Sequence, residues 1–293
     1  MRKEKMNKIG IYYAYWTRNW NVDFHPYIDK VADLGFDILE IHAGSIARML
    51  SKDRKDLKKY ADTRNITLTF GIGLPPEFDL ASEDAEYRKN GINFLQKTAD
   101  AIGEMGGGVL GGIIYSSWPA SLPFGTIDKR PYFDRSVASM RKAIKAAESN
   151  NVTFNMEVVN RFEQYIMNIC TEGLEYVNAV DSPNAKVMLD TFHMNIEEDF
   201  IDEAIIKAGE KLGHLHIGEN NRMPPGCGHI PWSEISKALQ KIRYQGYIVM
   251  EPFLVPGGEV GRDIRINHDS SVGLNLDLEA RKALQFMLNV LSA

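Results

Sequence analysis

Four side chains able to bind a cation or move a proton sit at comparable places in four separate apolar runs. VTFNMEVVN carries Glu157, KVMLD ends at Asp190, LGHLHIGE carries His216 and YIVMEPF carries Glu251. Taken alone, each has an ordinary reading. An aspartate at a strand end often caps the following helix. A histidine inside a strand is commonly a hydrogen-bonded core residue. A glutamate within an apolar run is harder to place, because carboxylates are almost never fully buried unless paired. Together the four residues call for one explanation. A divalent cation supplies it, since it compensates the negative charges of Glu157, Asp190 and Glu251 at once. This oxygen-rich donor set suits manganese, cobalt or magnesium. Cys170 and Cys227 are too far apart for a CxxC pair, so no thiolate cluster of the structural zinc kind is expected. In a strand, residues i and i+2 face the same side, so His214 shares a face with His216. His216 is the favoured ligand because it lies nearer the strand end, which leaves His214 in a layer beneath it.

Such residues need a scaffold that brings strand ends together. Short β-branched or aromatic runs alternate with longer amphipathic stretches along the whole chain. The strand-like runs are Ile9–Tyr15, Ile38–Ile41, Ile66–Gly71, Val109–Tyr115, Val152–Val159, Ala185–Leu189, Leu212–Ile217 and Tyr247–Pro252. The helical stretches are Phe24–Leu34, Leu57–Arg64, Ala85–Met105, Arg135–Ser149, Glu172–Val180, Phe200–Gly209, Trp232–Ile242 and Leu276–Leu291. Gly35 stands where the first helix would end, and Pro231 suits the start of the seventh. Alternation of this kind implies a parallel sheet covered by helices. Eight units predict an α/β fold of the (β/α)₈ TIM barrel type, in which all strand C-termini face one mouth. A doubly wound sheet would open with a glycine-rich first turn, whereas Gly106–Gly108 precedes a strand. The reading is one barrel domain over residues 1–293, with residues 1–8 a flexible N-terminal extension. Pro119–Pro131 and Pro256–Gly273 are the longest irregular stretches, placed as loops over the active face and long enough to act as lids.

Composition narrows the partners. Of 293 residues, 44% are hydrophobic and 25% are charged, enough for a sizeable core. The balance of 34 basic and 39 acidic residues gives −5, which argues against nucleic acid and anionic membrane surfaces. No apolar run approaches membrane-spanning length and the basic start lacks a signal-peptide core, so a soluble cytoplasmic protein is expected. Two cysteines suit a reducing compartment.

The stretches GIYYAYW, KVADLGFDILEI, EVVNRFEQY, VMLDTFHMNIEEDF, LGHLHIGENNR and VMEPF resemble those of the ketose 3-epimerases within the xylose isomerase-like barrels. The similarity runs from Gly10 to the final helix. It implies a (β/α)₈ barrel that binds Mn²⁺ or Co²⁺, with Mg²⁺ a further candidate. By resemblance the metal ligands are Glu157, Asp190, His216 and Glu251, and Glu157 and Glu251 are the acid/base pair. Glu163, His193 and Arg222 match residues that hold O1 to O3 of the sugar. Tyr12, Gly73, Trp118 and Phe253 match residues lining the rest of the pocket, and Trp16 and Trp20 are candidates for its mouth. The substrate implied is a free ketohexose, epimerised at C3 through a cis-enediolate, and the assembly implied is a homodimer or homotetramer. The chain departs from the family at PPGCGH (Pro224–His229), IRINHD (Ile264–Asp269) and HAGSI (His42–Ile46), which bears on substrate preference and leaves the proposed ligands untouched. The competing readings are an aldose–ketose isomerase and a sugar-binding barrel without catalysis. A metal-cluster nuclease would want more histidines and a basic groove than this chain has. A barrel that only binds sugar does not need two acid/base groups.

Overall fold

The computed structural model describes residues 7–292. The apolar runs become eight parallel strands: β1 (Ile9–Tyr12), β2 (Ile38–His42), β3 (Thr67–Gly71), β4 (Gly108–Gly112), β5 (Val152–Glu157), β6 (Ala185–Asp190), β7 (Leu212–Ile217) and β8 (Tyr247–Met250). They close into a barrel in chain order, with β8 pairing β1. The architecture is the expected (β/α)₈ barrel, with the amphipathic helices packed outside. Residues 1–6 of the expected extension lie outside the described residues. Asn7 and Lys8 are tied to the closing seam: Asn7 Nδ2 donates to the carbonyls of Tyr244 and Gly246, and the carbonyl of Lys8 accepts from Ile248 N. No helix among the described residues is long and apolar enough to cross a membrane.

The helices follow local chemistry. His25–Leu34 begins with Pro26, whose missing N–H costs nothing in a first turn, and ends at Gly35 with φ 94°. Ala85–Glu104 is capped by Asp84, whose side chain accepts from Glu86 N. Several strands end earlier than their apolar runs. β1 gives way to a 3₁₀ turn over Tyr13–Tyr15. β4 stops at Gly112, which has φ 110° and whose Cβ, if present, would lie 2.2 Å from the Ile72 carbonyl oxygen. β8 stops at Met250, so Glu251 stands just past the strand, held level by its N–H to the carbonyl of Ile217. Three short helices lacked a periodic signal: Ala43–Arg48, Thr191–Glu197 and Gly258–Asp263.

One irregularity sets the height of the site. Along β6 and β7, Val187 pairs Leu212 but Met188 pairs His214, so the register shifts by one residue at Gly213. Beyond the shift Asp190 stands opposite His216; an unbroken register would have set it opposite Leu215. Neighbouring paired residues point the same way from a sheet, so the shift is what turns Asp190 and His216 into the barrel together. Gly213 is the residue that permits it, since a Cβ there would lie 2.1 Å from Asn155 Oδ1 and 2.5 Å from Lys186 Cβ.

Substituting Gly213→Ala is therefore expected to destabilise the fold by about 1–3 kcal/mol, the usual scale of overpacking. Urea unfolding would show it as a lower midpoint at unchanged slope. An unaltered midpoint would contradict the role assigned to the register shift.

Candidate metal centre and pocket

Glu157 ends β5, Asp190 ends β6, His216 lies one residue before the end of β7, and Glu251 follows β8. The barrel thus gathers the sequence-derived candidates at the C-terminal mouth. One ligand atom from each lies within 4.8 Å of the other three. Glu157, Asp190 and His216 are buried, and the Glu251 side chain is 15% exposed. Asp190 serves two ends. Its Oδ1 accepts from Phe192 N and caps the helix Thr191–Glu197, while Oδ2 faces the cluster. Burial, reinforced by the charges of Glu251 and Asp190 and opposed by His216 and Arg222, raises the Glu157 carboxyl well above the usual carboxylate range.

His216 explains the histidine pair. Its Nε2 lies 2.5 Å from Glu40 Oε1 on β2, and His214 Nε2 lies 2.8 Å from Glu40 Oε2. Thr69 Oγ1 also donates to Oε2 at 2.8 Å. His214 is therefore the packed core residue of the pair, one layer down, as its position predicted. The Nδ1 atoms of both histidines are buried without a hydrogen-bond partner among the described residues, but His216 Nδ1 faces carboxylates, 3.5 Å from Glu251 Oε1 and 3.9 Å from Glu157 Oε1. A buried ring nitrogen facing carboxylate oxygens with no proton partner is what a cation ligand looks like. The residues fit a divalent cation.

Glu40 was missed in the sequence, although the argument applied to Glu157 and Glu251 covers it equally. ILEIH is an apolar run with a glutamate inside it. Burial alone would raise its carboxyl, yet His216 and His214 pull it far below the ordinary carboxylate range.

A second polar group stands beside the cluster. Arg222 Nη1 lies 3.3 Å from Asp190 Oδ2 and 3.2 Å from Glu251 Oε2, and its guanidinium carbon sits 3.8 Å from the Phe192 ring centroid. Arg222 has φ 61° in the turn ENNR, where its N–H donates to the Glu219 carbonyl. The buried Glu219 carboxylate fixes that loop by accepting from Gly226 N, Ile230 N and Trp232 Nε1. His193 Nδ1 lies 2.7 Å from Asn160 Nδ2. Asn160 Oδ1 accepts from Phe162 N and its Nδ2 also reaches Glu163 Oε1, so the amide is oriented to donate. Arg222 Nη2, also a donor, lies 3.4 Å from Nε2; the shorter Asn160 bond wins, so Nδ1 accepts and the ring proton is assigned to Nε2, toward Glu157 and Asp190 at 3.9 and 3.8 Å. Burial holds this imidazole below the usual histidine range against the pull of Glu163 and Asp190. Glu163 Oε2 accepts from Trp118 Nε1 at 2.8 Å.

These groups open into a cavity of about 430 Å³. All seven residues expected to contact substrate, Tyr12, Gly73, Trp118, Glu163, His193, Arg222 and Phe253, line it with Glu157, His216 and Glu251. Gly73 makes room for Trp118, whose ring would lie 2.7 Å from a Cβ at that position. Trp20 lines the mouth, but Trp16 does not: it packs against Tyr15 and Tyr27. The loop after β8 closes over this side. Trp20 Nε1 donates to Asp263 Oδ2, Trp20 N to Glu259 Oε2, and Arg18 Nε to the Pro256 carbonyl. Of the other long loop, Pro119 faces the cavity next to Trp118, while Phe124 and Ile127 project outward.

A family model described as xylose isomerase-like TIM barrel matches residues 28–287. The chain is 48% identical to a D-psicose 3-epimerase of Ruminiclostridium cellulolyticum, covering 97% of this chain and 98% of that protein. It is 42% identical to a D-psicose 3-epimerase of Enterocloster bolteae, covering 97% and 95%. A crystal structure of D-psicose 3-epimerase with D-tagatose, from Clostridium cellulolyticum H10, superposes with a TM-score of 0.93 over 97% of this chain and 99% of that one, at 48% identity.

Proposed function

The chain belongs to the ketose 3-epimerase family of xylose isomerase-like TIM barrels, and we propose that it interconverts free ketohexoses by cation-dependent inversion at C3, D-fructose with D-psicose and D-tagatose with D-sorbose. The observation that carries this reading is the pair Glu157 and Glu251, two carboxylates from different strand ends that share both the cation-competent cluster and the cavity wall.

Glu157, Asp190, His216 and Glu251 would hold the ion. Bound there, a divalent cation supplies Lewis-acid polarisation of a carbonyl and compensates the negative charge that develops when a neighbouring carbon loses its proton. The nitrogen and oxygen donors, with no thiolate, favour Mn²⁺ or Co²⁺, with Mg²⁺ a further candidate.

The chain's own groups do the rest. One glutamate removes the proton from C3 of the ketose, leaving a cis-enediolate of C2 and C3. The other, which enters the step protonated, returns its proton to C3 from the opposite face, and the two carboxyls regain their starting states by proton exchange with solvent. No atom or electron is gained overall, and the configuration inverts. His193 offers its Nε2–H to a substrate oxygen. Arg222 adds a fixed positive charge beside Glu251, and Glu163, held by Trp118 and Asn160, accepts from a sugar hydroxyl. Tyr12, Gly73, Trp118 and Phe253 shape the wall against which the remaining carbons pack. An effective geometry of this kind replaces a bimolecular encounter with an oriented one.

Incubating the manganese- or cobalt-loaded protein with D-fructose is expected to give D-psicose as the main product, resolved by chromatography. Chelation should abolish turnover and either ion should restore it. D-Glucose or D-mannose as main product would establish the isomerase reading instead, turnover of no ketose would favour a binding barrel, and full activity of a preparation shown to be metal-free would contradict cation dependence.

The same reading includes a homodimer or homotetramer, which rests on the family resemblance. Light scattering is expected to give a dimer or tetramer mass, and a monomer mass across a dilution series would contradict it.

A further inference from the structure

Glu40 takes no part in the chemistry above, yet it is among the most constrained side chains in the barrel. It is buried and sits on β2, across the interior from β7, where it meets three donors. Oε2 accepts from Thr69 Oγ1 and faces His214 Nε2, both at 2.8 Å, and Oε1 faces His216 Nε2 at 2.5 Å. Gly71 leaves the space, since a Cβ there would lie 3.1 Å from Oε1. A carboxylate offers only acceptors, so a histidine nitrogen bonded to it must carry the proton. In a neutral imidazole, a proton on Nε2 leaves the lone pair on Nδ1. For His216 that is the atom without a partner, directed at Glu157 and Glu251.

We propose that Glu40 is the positioning residue of the metal centre: by accepting from His216 Nε2–H it commits Nδ1 to the cation, while Thr69 and His214 hold its other oxygen and so fix the ring's direction. The inference rests on the cation-site reading of Glu157, Asp190, His216 and Glu251. It gives His214 a task as well. That residue anchors the anchor and does not touch the ion. Partners of this kind orient a ligating imidazole and raise its basicity.

Glu40→Gln tests this with little change of shape. The amide keeps one oxygen, and the side that faces two donors, Thr69 and His214, claims it. The NH₂ group then faces His216 Nε2, which must present a lone pair, and the ring proton moves to Nδ1, where the cation would bind. Isothermal titration of the metal-free proteins with Co²⁺ is expected to show one site in the parent and a Kd weaker by about 10–100-fold in Glu40→Gln, the usual cost of losing such a partner. The proton NMR spectrum of the cobalt-loaded parent should contain a strongly shifted imidazole N–H that exchanges slowly with solvent, being buried against Glu40. In Glu40→Gln saturated with Co²⁺, an N–H on the ligated ring faces an amide NH₂ in place of an acceptor, so this signal should exchange markedly faster with solvent. A parent that binds no Co²⁺ would overturn the cation site itself. A parent that binds, with Glu40→Gln matching its affinity and keeping the slow N–H signal, would overturn the positioning role alone. If Glu40→Gln does not fold, the parent spectrum still decides: absence of a slowly exchanging imidazole N–H contradicts the proposal.

Discussion

Carboxylates repel one another and resist leaving water, and this barrel puts Glu157, Asp190 and Glu251 around one point with a fourth, Glu40, one layer below. An isolated ion of this kind costs several kcal/mol to bury even after relaxation. The surroundings are arranged to offset that cost. Arg222 lies against Asp190 and Glu251, His214 and His216 lie against Glu40, and Asp190 spends one oxygen on a helix cap. What remains is a cluster of oxygens around the bare Nδ1 of His216, an arrangement that fits a divalent cation. Even Glu157, raised by burial and by its acidic neighbours, reflects the same imbalance. A carboxylate poised in this way is also suited to proton transfer, because its basicity is set by an environment that an ion and a substrate both change.

The scaffold serves this charge problem in specific ways. A closed parallel barrel delivers each strand end to one mouth, so residues distant in sequence become neighbours. The shift at Gly213 raises Asp190 to the level of His216. The buried Glu219 carboxylate, held by Gly226, Ile230 and Trp232, shapes the loop that bears Arg222 in its left-handed conformation. Asn160 does the same for His193 and Glu163, with one amide orienting two side chains. Around these, Trp118 over Gly73 and Trp20 latched to Asp263 form the walls.

Much of this could be read from the chain before any coordinates. Period and alternation gave the barrel, because half-buried helices and fully buried strands leave distinct patterns. Polar residues at or near the ends of VTFNME, KVMLD, LGHLHI and YIVME stood out because apolar surroundings make them costly. Glu40 carried the same signal in ILEIH and was passed over, since it lies mid-strand and its partners, His214, His216 and Thr69, are remote in sequence. The Gly213 shift has no periodic signature, being a relation between two strands. The helices Ala43–Arg48, Thr191–Glu197 and Gly258–Asp263 are too short to show a period. Trp16 and Trp20, four residues apart, looked alike as mouth candidates, yet tertiary packing turned only Trp20 to the cavity.

The central claim is that Glu157 and Glu251 each serve one face of C3. Glutamine at either position keeps the size and one oxygen donor but removes the base. The measurement is solvent deuterium exchange at C3 of each epimer by Glu157→Gln and Glu251→Gln, with bound metal determined alongside. The account predicts that both variants lose epimerisation in both directions, that each still exchanges C3 of one epimer, and that the exchanging epimer differs between them. A metal-bound variant of either kind that epimerises at close to the parent rate would contradict it.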